Sequence, residues 1–322
     1  MILWKSLKRV LMLVLGIFIA FLSFTTRATI IASIKPIGFI AASIADGLTL
    51  VKILLPEGAS VHNYALRPSD IKHLQEADLV VWVGPEMESF MKKPLEKLPT
   101  QNTIEISQLP GVQSLLLLNK LYKGSKYINP LPNIENHIQL TNHEYRHYHS
   151  KYNMHLWMSP DIALQIAIAI HSKLLEYMPE NQDQLNANLQ YFKASILTMN
   201  KTINQQLLPL KDRSYFVFHD AYTYFEKYYS LIPTGYFTIN PEIQPGAQRL
   251  HYIKMQLLSK KTQCVFTEPQ FQPIVVKAIS RGTNVRFGTL DPLGTEISIS
   301  KDSYIKFLLK LSTQYSSCLQ ED

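Results

Sequence analysis

Cysteine is scarce in this chain of 322 residues: there are two, Cys264 and Cys318, both in its last fifth and with no CxxC spacing. That excludes a thioredoxin-like redox motif and a cysteine zinc site. No GxxxxGKS/T loop occurs, so any nucleotide-driven step belongs to another chain. Glycine and proline, at 12 and 18 residues, are too few for a collagen-like or low-complexity polymer. With 18% charged and 46% hydrophobic residues, the chain is no disordered polyelectrolyte and has the material for a sizeable core.

Acid is missing altogether from residues 1–28, which hold Lys5, Lys8, Arg9 and Arg27 around the apolar run VLMLVLGIFIAFLSF. That order of charge and apolarity is a signal peptide. The run of 15 residues is short for a bilayer span, and small residues at Thr26 and Ala28 suit cleavage after Ala28. An uncleaved membrane anchor is the competing reading. No cysteine near the cleavage point offers a lipid attachment. Loss of the four basic residues takes the formal net charge from +7 to +3, so the mature chain has no excess that would mark a nucleic-acid partner. In an oxidising compartment the even cysteine pair is most simply one disulfide, Cys264 to Cys318, with two buried thiols as the alternative.

Short β-rich runs alternate with amphipathic helical stretches: IIASI (30–34), LVKILL (50–55), LVVWVG (79–84) and TIEI (103–106), then YFVFH (215–219), CVFTEP (264–269) and VRFGTL (285–290). The alternation predicts βαβ units with parallel sheets, an α/β fold of two lobes. Ser69 is a candidate cap for a helix after it, and Ser159, followed by Pro160, for a second that Pro179 closes. Between the lobes, Leu185, Leu189, Phe192, Ile196, Met199 and Ile203 recur at three- and four-residue spacing, which predicts one long helix over 180–210. A heptad coiled coil is less suited to so short and weakly charged a stretch. The expected division is a leader at 1–28, an N-terminal lobe at 29–179, the linking helix, and a C-terminal lobe at 211–322. A long loop at about 119–152 interrupts the first lobe, and loops of that length are often functional.

All ten histidines follow the leader. His62, His155 and His219 each lie at an end of an apolar run or the start of a helix, where α/β sheets gather ligands. Three neutral imidazoles from distant segments suit zinc, with one position left for an oxygen ligand. Their wide separation makes no local signature, and single histidines in such places are often structural. The loop adds His137, His143, His147 and His149 with Glu135 and Glu144, a composition that binds metal weakly or stays a solvated polar loop. Glu268 and Asp291, at strand ends of the second lobe, can ligate, orient an imidazole or cap a turn. Asp220, Glu226, Tyr222, Phe225 and Tyr229 read as structural.

The segments SIKPIGFIAASIADG, LLPEGASVHNYALRPSDIKHLQEADLVVWVGPEMESFM, NMHLWMSPDIA, YFVFHDAYTYFE, NPEIQPGAQRL, CVFTEPQF and GTLDPLG carry a further reading. Over nearly the whole mature chain they resemble the periplasmic high-affinity zinc-binding proteins of ABC zinc uptake systems, within the metal-binding solute-binding protein family. The resemblance implies two lobes joined by a rigid helix, a metal site in the interlobe cleft, and His62, His155 and His219 as zinc ligands. It also implies the Cys264–Cys318 disulfide, a His-rich acidic loop, and a monomer that hands Zn2+ to a membrane permease driven by an ATPase. Manganese-type relatives carry a carboxylate where His219 stands, and imidazole is the softer donor. Val61 stands where zinc relatives can have Glu, which leaves the fourth position to water or to Asp291. Lys120, Lys123 and Lys126 also set the loop apart from the richest His and acid loops of the family. Two rival readings are a secreted zinc-dependent hydrolase with Glu268 as general base, and a manganese-binding or adhesin-type member of the same fold.

Overall fold

The computed structural model describes residues 29–119, 151–238, 241–242, 245–259, 262–271 and 274–320. The expected leader and the loop histidines His137, His143, His147 and His149 lie outside these residues.

The first lobe runs β1 (Thr29–Ala32), α1 (Lys35–Ile44), β2 (Leu50–Ile53), α2 (Pro68–Glu76), β3 (Leu79–Trp82), α3 (Ser89–Leu95), β4 (Thr103–Glu105) and the one-turn α4 (Pro110–Gln113). Two helices follow, α5 (Pro160–Tyr177) and α6 (Gln182–Leu207). The second lobe runs β5 (Tyr215–His219), α7 (Thr223–Tyr228), β6 (Gly235–Thr238), α8 (Ala247–Ser259), β7 (Cys264–Thr267), α9 (Ile274–Ile279), β8 (Arg286–Thr289) and α10 (Ser303–Leu319).

Among the described residues the strands form two four-stranded sheets, ordered β2-β1-β3-β4 and β6-β5-β7-β8, and every pairing is parallel. Parallel strands need helical crossovers that cover both faces, which is why β3 is a continuous buried apolar run rather than an alternating one. In each sheet the strand order reverses beside its first strand, between β1 and β3 and between β5 and β7. Crevices open beyond the carboxyl ends of the strands at such points.

α6 has 26 residues, about 39 Å of helix at 1.5 Å per residue. Its apolar stripe, Leu185, Leu189, Phe192, Ile196, Met199 and Ile203, is buried throughout. α5 is capped by the Ser159 hydroxyl, which accepts from the Ile162 amide at 3.3 Å. The C-terminal α10 lies along α6 and α1, with Phe307 against Phe39 (ring centroids 6.1 Å) and Tyr304 against Phe192 (5.8 Å). One hydrophobic core therefore runs through both lobes. Cys264 on β7 and Cys318 on α10 are joined by a disulfide, which ties that helix to the second sheet.

Two local expectations change. Ser69 is not a cap: α2 starts at Pro68, whose fixed φ suits a first helical residue, and Asp70 Oδ2 accepts from the Arg67 amide at 2.7 Å. β6 has no counterpart among the strands expected from sequence. Tyr236, Phe237 and Thr238 are β-formers, but four residues are too short a run to mark a strand alone, and pairing with the edge of β5 completes it. No helix among the described residues is long and apolar enough to cross a membrane.

Candidate metal centre

His219 is the last residue of β5, and Glu268 follows β7 directly, so the two stand beyond the carboxyl ends of the strands that flank the switch point of the second sheet. The His219 ring is buried, and its Nδ1 lies 2.6 Å from Glu268 Oε1. Phe218 on the same strand and Phe271 beyond β7 flank the ring.

His155 lies at the start of a short turn, Leu156–Met158, whose three side chains are fully buried. Two residues earlier, Asn153 Oδ1 accepts from the His155 backbone amide at 3.0 Å and faces the ring Nδ1 at 2.8 Å. The Asn153 Nδ2 donates to the Asp220 carbonyl at 2.8 Å, which fixes which end of the amide faces the ring. Trp157 packs on the His155 ring at 5.3 Å between centroids, and its Nε1 donates to the Pro292 carbonyl in the second lobe.

His62 arrives from the first lobe on the segment after β2. Gly58 turns the chain with φ of +77°, a conformation that side chains resist. Val61 is buried in the core, and the next residue, His62, faces the cleft. Ser60 Oγ accepts from the His62 amide at 3.2 Å.

Among the described residues these three histidines form the group whose donor atoms all lie within 4.8 Å of one another. His62 is 5.4 Å from each of the other rings between centroids, and the Nε2 atoms of His155 and His219 are 3.2 Å apart. Asn153 Oδ1 and a Glu268 carboxylate oxygen are acceptors, so each neighbouring Nδ1 serves as an N–H donor. In the neutral rings that places two Nε2 lone pairs face to face, an arrangement that a cation between them satisfies. Burial, and secondly the nearby His219, push His62 down to about 3; burial first, and then the neighbouring rings, hold His155 well below the usual histidine range. Both are thus neutral, the form that binds metal.

The crevice beside the rings encloses about 20 Å³, room for one water, and is lined by Ser60, Gln270, Phe271, Pro292 and Leu293 as well as the site residues. Asp291 stands apart. Its Oδ2 accepts from the Thr295 amide at 2.6 Å, and its Oδ1 from the Leu293 amide and from Gln270 Nε2, each at 3.0 Å. These bonds tie the carboxylate to the 291–295 loop and to Gln270, and the group of clustered donors holds the three histidines without it. Asp220 and Glu226 are likewise structural: Thr223 Oγ1 donates to Asp220, and the Tyr215 and Tyr315 hydroxyls donate to Glu226. Tyr222, Phe225 and Tyr229 are core. Asn153 was not singled out in the sequence. Its only signal there is an Asn two residues before a candidate ligand, the spacing at which its side chain reaches the later amide.

The family described as "Zinc-uptake complex component A periplasmic" matches residues 30–318. The "High-affinity zinc uptake system protein ZnuA" of Yersinia pestis is 52% identical over 293 residues, covering 91% of this chain and 92% of the relative. The protein of the same description from Haemophilus ducreyi is 40% identical, over 94% and 97% of the two chains. Among solved structures, one described as "Crystal structure of ZnuA" superposes with a TM-score of 0.72 at 24% identity, over 91% of this chain and 99% of that one, which speaks to the fold.

Proposed function

The chain belongs to the family of periplasmic zinc-uptake components, and from that membership we propose that it is the receptor that captures Zn2+ in the periplasm and delivers it to an ABC permease powered by an ATPase on a separate chain. The observation that carries the reading is the pair of facing Nε2 atoms, 3.2 Å apart, with a third imidazole beside them.

His62, His155 and His219 are the ligands in this reading. Three neutral imidazoles make a borderline-soft donor set suited to tetrahedral zinc, and two are already held by acceptors on Nδ1, so little ordering remains when the ion enters. Val61 offers no donor, so the fourth position goes to water, for which the crevice has room, or to Asp291, whose Oδ2 accepts from the Thr295 amide and keeps a second lone pair. With His219 in place of a carboxylate, zinc is favoured over manganese.

The receptor performs no chemistry of its own. A hydrolase would need a free general base and space for a substrate. Glu268 is committed through Oε1 to His219, which leaves it no free role as that base. Residues 1–28 serve as the export leader, 29–179 and 211–322 as the lobes, and 180–210 as the link. The working unit is a monomer, and its near-neutral mature charge gives it no affinity for nucleic acid.

The test is elemental analysis of protein purified without chelator, with calorimetric zinc titration and turnover assays on ester, peptide and phosphoester panels. The reading requires one tightly held zinc per chain and no turnover. Zinc-dependent turnover, or no tight site, would overturn it.

A further inference from the structure

The three histidines are not held alike. His155 and His219 are buried and have acceptors on Nδ1, whereas the His62 ring has no hydrogen bond among the described residues and is the most exposed of the three. Its place is therefore set by packing against the other two rings and by its backbone.

The segment bearing it is a compact turn. The Ala59 amide donates to the Pro56 carbonyl at 3.2 Å, Gly58 takes positive φ, and Glu57 stands five residues before His62. Glu57 is bound by Lys35, the first residue of α1, whose Nζ donates both to Glu57 Oε1 and to the Thr295 backbone carbonyl. Glu57 is largely exposed, but the Lys35 side chain is only 15% exposed, so this is not the freely solvated pair that contributes next to nothing.

Thr295 belongs to the second lobe, and its loop is tied by hydrogen bonds. Asp291 gathers the amides of Leu293 and Thr295 and the side chain of Gln270. Gly294, at φ of +63°, lets the backbone lie so close to α1 that an added Cβ would meet Phe39 Cε2 at 2.8 Å. Pro292 and Leu293 of this loop line the crevice. Lys35 thus spans from the turn that carries His62 to the loop that walls the site on the opposite lobe.

We propose that Lys35 is a positioning residue that latches the His62 turn to the Asp291–Thr295 loop across the cleft, and that opening this latch frees His62 first and sets the rate of zinc release. The proposal rests on the zinc-receptor reading above. His155 and His219 stay in place while His62 leaves, because their acceptors lie on Nδ1 and are unaffected by the turn. Asp291 acquires a role that is not ligation: it holds the loop that receives the lysine.

The latch predicts the opposite sign from simple electrostatics. Removing a cation near a dication should slow zinc loss, whereas removing a latch should speed it. The experiment loads the full chain with zinc and follows release into excess chromogenic chelator by stopped flow. Lys35→Met is expected to release zinc about tenfold faster with little change in the association rate, the usual partition when an interface is loosened. Lys35→Arg, which keeps charge and donors, should return release close to wild type. Lys173→Met, which removes a cation from a surface pair on α5, should leave it unchanged. Release from Lys35→Met that is unchanged or slower overturns the latch. If that variant fails to fold by circular dichroism, Lys35→Gln decides, since it removes the cation and cannot span both acceptors: faster release supports the latch, and an unchanged or slower rate overturns it. A wild-type chain that takes up no zinc defeats the receptor reading instead, so the two failures are distinguishable.

Discussion

Glu268 Oε1 lies 2.6 Å from Nδ1 of His219, although 49 residues separate them, because β5 and β7 are neighbours in the second sheet. A carboxylate on the far nitrogen fixes the tautomer and the ring direction and makes Nε2 a better donor to a metal.

Replacement of Glu268 by Ala should therefore weaken zinc binding by roughly 10- to 100-fold while the three imidazoles remain. Glu268→Gln, which keeps an acceptor for the Nδ1–H, should lose less. Competition titration against a chelator of known affinity reads both. Equal affinities for the Ala variant and the wild type would show that the carboxylate does not position the ring.

Single replacement of His62, His155 or His219 by Ala removes one of three nitrogen donors and should lower zinc affinity by orders of magnitude, about 100-fold or more. Thermal melts of the metal-free variants should stay near wild type, or above it, since each change also relieves crowding among the clustered imidazoles. Tight binding retained in all three would mean that the ion sits elsewhere.

Proton competition should set in late. A free histidine loses its metal-binding form below about pH 6.5, but burial holds His62 down at about 3 and His155 well below the normal range. Zinc affinity carried by these two rings should thus change little between pH 7.5 and 5.5, measured by calorimetry corrected for buffer protonation. Metal-free stability behaves differently. The unfolded chain takes up protons on these residues below about pH 6.5 while the folded chain does not. Their contribution is complete above that pH and shrinks as pH falls toward 3. Denaturant midpoints of the metal-free protein across that range check the sign.

The disulfide closes a loop across 54 residues, which on the chain-entropy account stabilises the fold by about 4 kcal/mol. The double variant Cys264→Ala, Cys318→Ala should melt roughly 10 °C lower. Zinc stoichiometry at low temperature should be unchanged, because the bridge ties the buried side of β7 to α10 and contributes nothing to the ligand set. A melting point equal to wild type would mean that packing of α10 against α6 and α1 already fixes that helix.

Much of the architecture is legible along the chain because its signals are local. The runs that became β1, β3, β5 and β7 are apolar enough to be strands buried on both faces, and the stripe from Leu185 to Ile203 has the period of the helix that it forms. β6 escapes such reading because Gly235–Thr238, although it holds the β-formers Tyr236, Phe237 and Thr238, is too short a run to stand out, and its pairing with β5 is decided only in the fold. Ser69 misleads for a related reason: a good capping residue stands one position inside a start that Pro68 and Asp70 determine together.

The same division runs through the site. The sequence by itself determined the candidate donors, because imidazoles at the ends of apolar runs are a chemical choice written in single residues. It also pointed to the family, through long matched segments, and to one disulfide as the simplest use of two cysteines, with two buried thiols as the alternative that the structure removes. Only the tertiary structure decided which groups stand behind the donors. Asn153 serves His155 and Glu268 serves His219, Asp291 serves its own loop, and Lys35 reaches across to Thr295. The reason is physical: a ligand's identity is a property of one side chain, whereas its orientation depends on hydrogen bonds between segments up to 260 residues apart, and only folding brings those within reach.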